Sequence, residues 1–343
     1  MRGTARSGPN ARPDFVIPDA VLWWPLVVED TYTTLDPSSV STQLWLDDRQ
    51  AVAPMARKDS LAFGVGAVGL PLKQVAAHNI RASVVWRQQC WSSRVDERAA
   101  AQIPWPAEWP AEVQEALRPQ PAIESDQPEF RAFVDRISGG KLRSVTPWIA
   151  AKELSRATVN AFRVVDAAGS WWIGRTDVGL PLIGAYDPMR AGVGSAHDLS
   201  AACVAVLRAA GIPARVVLGI ADIQAINDTR VRPQLVTWCE FYLPTAGWVP
   251  FDPVALRGAS QGNLPLDRPW PSFGTWDDLN RRVPVAHSFV APVANTISLT
   301  VPNGWSVSQG TLEDLAVDRQ GFAVQITSRG RVPEAGGATS PRP

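Results

Sequence analysis

The chain has 343 residues, 45% of them hydrophobic and 19% charged, with Lys+Arg 33 against Asp+Glu 33. That length predicts roughly two domains with a real core, and the charge balance excludes bulk electrostatic recruitment of a polyanion, so no nucleic-acid partner is expected. Cys90, Cys203 and Cys239 lie too far apart for a C-x-x-C pair and are odd in number, which argues against a disulfide framework and for a reducing compartment. No apolar run reaches the roughly 18 residues of a membrane span, and the Arg2, Arg6 and Arg12 region lacks the apolar stretch of a secretory signal. The expectation is a soluble, cytoplasmic protein with no membrane partner. Only His78, His197 and His287 are available for imidazole chemistry, and neither a metal nor a cofactor is expected.

Residues 1–13, rich in Arg, Gly, Ser and Pro, predict a flexible tail. From 14 to 100, runs such as VLWWPLVV, STQLWL and RASVVWRQQCW are broken by Pro, Gly and Asp, the punctuation of a β-rich domain. A Pro/Trp linker opens the segment 101–146. Helical spacing then runs through AEVQEALRP, PEFRAFVDRIS and AAKELSRATVNAFRVV.

The stretch from Ala196 to Ala210 carries the clearest pattern. Leu199, Ala202, Cys203, Val206, Leu207 and Ala210 fall on one helical face, which also assigns Cys203 to the core. Ser195 and Asp198 form a capping box, and Arg208, Gly211 and Pro213 mark the end of the helix. Strands follow at ARVVLGIA from Ala214, at LVTWCEFYL from Leu235 to Leu243, and at WVPFD from Trp248 to Asp252. A helix followed by an antiparallel meander predicts an α+β fold. A C-terminal β extension is expected over 293–330 and a second flexible tail over 331–343.

Three segments taken in order, GSAHDLSAACVAVLRAAGIPARVVLG, WCEFYLPTAGWVPFDP and FGTWDDLNRR, resemble the transglutaminase-like superfamily. The resemblance spans 147–292 and implies a papain-like core in which a helix packs on an antiparallel sheet. Members use a Cys at the helix N-terminus, a His on the facing strand and an orienting Asp, a triad that forms an acyl-enzyme. Carried onto this chain, the nucleophile position falls on Ala196 and the base position on Val236; only Asp252, in its F-D-P setting, is retained. The implied triad is therefore degenerate, with no catalytic group intact. A methyl group has no lone pair for attack and an isopropyl group takes no proton.

Other residues have plainer readings. Ser195 serves as a cap rather than a substitute nucleophile, His197 as a first-turn surface histidine, His287 as a loop histidine and Cys239 as core. Asp252 has two readings, a carboxylate bonded to backbone or an anchor for a ligand. Ser195, His197, Trp238, Glu240 and Trp248 are candidate groove-lining residues. Trp23, Trp24, Trp171 and Trp172 are read as core or interface packing, with a stacking surface as the alternative. The favoured function is a pseudoenzyme that binds a peptide or protein segment. The alternatives are an acyl transferase or peptidase with a relocated site, and a structural component of a larger assembly.

Overall fold

Pairing of the Val-, Leu- and Trp-rich runs builds two antiparallel sheets from the first ninety residues. The computed structural model describes residues 15–52, 54–58, 62–165, 182–224, 231–260, 264–289, 296–297 and 304–309. Both expected tails, and Trp171 and Trp172, lie outside them. The strands are β1 (Phe15–Val27), β2 (Glu29–Asp30), β3 (Thr33–Leu46), β4 (Arg49–Ala51), β5 (Ala56–Lys58), β6 (Val65–Ala77) and β7 (Ile80–Cys90). β1 pairs with β6 from Phe15 opposite Ala77 to Val27 opposite Val65. β3 pairs with β7, and with the short strands β2 and β4. Ile17, Leu22, Leu44, Leu72 and Val75 pack between the two sheets as one apolar cluster.

The middle of the chain supplies the helices: α1 (Glu97–Ala100), α2 (Pro128–Ser138) and α3 (Pro147–Ala161), then β8 (Arg163–Val164), α4 (Tyr186–Ala191), β9 (Val193–Gly194) and α5 (Ala196–Ala209). Two sequence expectations need correction. Residues Ala111–Leu117 form a 3₁₀ rather than an α-helix. The third expected helix starts earlier, where the Thr146 hydroxyl caps the helix and Pro147 opens it, and it stops at Ala161. The F-R-V-V tail leaves the helix because Arg163 and Val164 pair in parallel with Val193 and Gly194.

The core sheet contains β10 (Ala214–Gln224), β11 (Val231–Leu243), β12 (Gly247–Phe251) and β13 (Arg282–Ala286), with α6 (Pro253–Ser260) after β12. Its spatial order is β12-β11-β10-β13, the antiparallel meander of an α+β fold. The helices cover it with the largest apolar cluster, in which Trp148, Leu154, Leu199, Val206, Phe241, Phe251 and Phe273 meet. Two last strands, β14 (Thr296–Ile297) and β15 (Gly304–Gln309), return to the first sheet, where Trp23 of β1 lies opposite Gly304. Among the described residues no helix is long and apolar enough to cross a membrane.

Candidate functional site

α5 places the first residue of interest. The Ser195 hydroxyl accepts from the Asp198 amide at 3.1 Å, and Asp198 Oδ2 accepts from the Ser195 amide at 2.9 Å. This is the capping box that the sequence predicts. Asp198 Oδ1 also accepts from the amides of Ile183 and Gly184 at 2.7 and 3.0 Å, so one carboxylate ties the incoming loop to the helix start. Ala196 is the first helical residue, buried at the positive end of the helix dipole.

His197 is not a surface residue. Every residue from Ala196 to Arg208 is buried, so α5 is enclosed all round rather than presenting one face. His197 Nδ1 lies 3.2 Å from Thr237 Oγ1, which is 3.1 Å from Ser200 Oγ. Burial lowers the His197 imidazole to about 4, so it is neutral at pH 7. The small residues around the helix (Ala196, Ser200, Ala201, Ala205) were the sequence signal for this enclosure.

Strand alternation sorts the β11 residues. Thr237 and Cys239 face α5, with Cys239 Sγ donating to the Ser200 carbonyl at 3.4 Å. Cys203 and Cys239 are fully buried core thiols, each pushed up by burial. Val236, Trp238 and Glu240 take the other face of the strand. Val236 is half-buried opposite Gly219 and packs with Val217, Trp238, Trp276 and Leu279. Gly219 is required there, since a Cβ would collide with the Trp238 ring.

Asp252 follows β12, whose Phe251 pairs with Cys239, so it lies beside Trp238 and two strand positions from Val236. Its Oδ1 accepts from the amides of Val254 and Ala255 at 2.9 and 3.0 Å, capping α6. Its Oδ2 accepts from Arg282 Nη2 at 2.9 Å. The backbone bonds expected of this carboxylate are present, and the guanidinium is an addition that the sequence did not signal.

Glu240 and Trp248 belong to a buried charge cluster rather than to an open groove. Arg215 donates to Glu240 Oε2 from Nε and Nη2 at 2.8 and 2.6 Å, and from Nη2 to the two Asp30 oxygens at 2.6 and 2.7 Å. Its guanidinium lies 4.0 Å from the Trp248 ring. His287 follows β13 in a loop, as expected, but is buried. Its Nδ1 donates to the Phe63 carbonyl at 2.8 Å, and Nε2 stands 3.1 Å from Asp30 Oδ2, a contact that is a hydrogen bond only in the imidazolium. Burial raises the Asp30 carboxyl, but the charges of Arg215 and His287 outweigh it and hold it well below the carboxylate range. For Glu240 burial wins, and its carboxyl is raised. Asp30, Glu240 and His287 bring their ligand-type atoms within 4.8 Å of one another. Arg215 already supplies the cation there.

Between this cluster and Asp252, a cavity of about 10 Å³ is lined by Tyr32, Thr33, Trp238, Glu240, Leu279 and Arg282, enough for about one water. The arrangement offers a permanent cation, tryptophan faces and sealed hydroxyl groups.

The family model of the transglutaminase-like superfamily matches residues 150–253. No curated protein matches the chain in sequence. Among solved structures, a candidate cysteine protease from Cytophaga hutchinsonii is 15% identical with a TM-score of 0.48, covering 79% of this chain and 76% of its own. The periplasmic domain of TgpA from Pseudomonas aeruginosa is 16% identical with a TM-score of 0.31, covering 73% of this chain and 93% of its own.

Proposed function

Starting from a chain whose residues 150–253 carry the core of the transglutaminase-like superfamily, we propose that the domain has lost acyl transfer and acts as a binding or scaffold module for an extended peptide or protein segment. One observation carries this reading: Asp252, the retained carboxylate, spends its oxygens on the α6 amides and on Arg282. The reading takes Ala196, which opens α5, as the nucleophile position and Val236 as the base position. Loss of a triad's nucleophile or base costs on the order of 10⁶ in rate. An extended peptide or protein segment is the partner that a domain without reactive groups would take in this reading. The three thiols are free, which fits the cytoplasmic location expected from cysteine usage.

The test is direct. The purified protein, given a fluorescent amine with a glutamine peptide and separately a peptidase substrate, is expected to turn over neither. Turnover above that of the heat-denatured protein would remove the proposal. The contact between His197 and Thr237 favours the alternative of a relocated enzyme site, but both side chains are buried, which withholds the hydroxyl from any substrate.

A further inference from the structure

Two core arginines lie against tryptophan rings and reach toward carboxylates, and they are unequally satisfied. Arg215, 4.0 Å from the Trp248 ring, bridges two carboxylates, Asp30 and Glu240, and its Nη1 donates to the Phe63 carbonyl at 3.4 Å. Arg282 lies 4.3 Å from the Trp276 ring and 5.9 Å from Trp238. Among the described residues its guanidinium makes one hydrogen bond, from Nη2 to Asp252. A guanidinium has five N–H donors in a planar fork, and the Arg282 side chain keeps 19% of its surface exposed. Its unused donors therefore have a route to a ligand.

A second group points the same way. Trp238 lines the same small cavity as Arg282, and its buried Nε1–H has no acceptor among the described residues. Indole N–H and guanidinium only donate, so each calls for an acceptor; the cavity between them has room for about one water, and a larger acceptor reaches only the exposed side of Arg282. The acids at hand do not supply it: Asp30 and Glu240, which line the cavity, are bound to Arg215, Asp277, next to Trp276 in sequence, is paired with Arg94 at 2.8 Å, and Asp278 is exposed. The Arg215 cluster shows that this fold holds two carboxylates on one guanidinium stacked on a tryptophan.

We propose that Arg282 is a carboxylate-recognition site, at which a carboxylate of a peptide ligand docks beside Asp252 and over Trp276. This rests on the reading of the domain as a peptide-binding module and names the chemistry it selects. The carboxylate comes from a peptide C-terminus or from an acidic side chain, two sources with one recognition chemistry.

Tryptophan fluorescence and calorimetry at low salt test it with three probes: acetyl-Ala-Ala-Ala with a free C-terminus, acetyl-Ala-Glu-Ala amide, and acetyl-Ala-Gln-Ala amide. At least one of the two acidic peptides is expected to bind about tenfold or more tighter than the uncharged one. Which acid wins identifies the source. Arg282→Gln is expected to abolish the preference and Arg282→Lys to keep part of it, since lysine retains charge but not the planar fork. If Arg282→Gln does not fold, the comparison of acid and amide on the unaltered protein still decides. Equal binding of all three peptides, or no binding of any at millimolar concentration, overturns the proposal. Amine-transfer activity would instead overturn the non-catalytic reading and leave the acid preference separately measurable.

Discussion

Asp30 on β2 and Arg215 on β10 lie 185 residues apart in the chain and 2.6 Å apart in space. Through that contact the N-terminal sheets are fastened to the core sheet by charge, with His287 and Glu240 completing the cluster. The attraction of such a group is largely offset by the cost of dehydrating it. Its removal in part is what costs most, because the remaining charges stay buried without their partner.

Arg215→Met is therefore expected to destabilise the protein by about 3 to 5 kcal/mol, since it leaves the Asp30 and Glu240 carboxylates facing each other. Urea unfolding at neutral pH measures the loss. A midpoint within error of the parent's would show that the cluster does not hold the two parts together.

The buried His197 makes stability depend on pH. Its imidazole titrates at about 4 in the fold, against 6.5 for the free side chain. Between those values the unfolded chain binds a proton that the folded chain excludes, so stability falls as pH is lowered through that window. The loss accumulates at roughly 1.4 kcal/mol for each pH unit crossed and reaches about 3 kcal/mol at the lower end. His197→Gln is expected to be less stable at pH 7 because the bond to Thr237 is altered, but its stability should fall less between pH 6.5 and 4. Parallel curves for the two proteins would assign the acid sensitivity elsewhere.

At the start of α5 two single changes should rank in a fixed order. Ser195→Ala removes one cap bond and is expected to cost about 1 kcal/mol. Asp198→Ala orphans the amides of Ser195, Ile183 and Gly184 together and is expected to cost about 2 to 3 kcal/mol. Equilibrium unfolding of both variants checks this, and the reverse order would mean that the carboxylate does not organise the loop.

Ala196→Cys sets a thiol at the first position of a capped helix, where the dipole favours the thiolate. Cys203 and Cys239 are buried and raised, so the new thiol is expected to react with iodoacetamide at neutral pH well ahead of them. Adding Val236→His is expected to quicken that reaction further. Peptide mapping after timed alkylation follows both steps. If the second change has no effect on the rate, the assignment of position 236 to the base fails.

Much of the fold was legible locally. The spacing of Leu199, Cys203, Val206 and Ala210, with Ser195, Asp198 and Gly211 at its ends, predicts α5 to within a residue, because periodicity and capping are properties of neighbours in sequence. β10, β11 and β12 are legible in type and order from their β-branched and aromatic runs, although β10 runs on to Gln224 and β11 begins at Val231, four residues before the expected Leu235. The F-R-V-V tail after α3 continues the helical spacing in sequence yet pairs as a strand, because its competing partner, Val193–Gly194, is thirty residues away.

The sequence by itself determined the α+β order of elements, the cap of α5 and the core character of Cys203 and Cys239. Tertiary structure alone decided that His197 is enclosed, that Asp252 meets Arg282, and that Asp30, Arg215, Glu240 and His287 share one site. The physical reason is range. Helix and turn preferences act over three or four residues, whereas a buried charge finds its partner wherever the packed chain brings one, at a separation that no local pattern encodes.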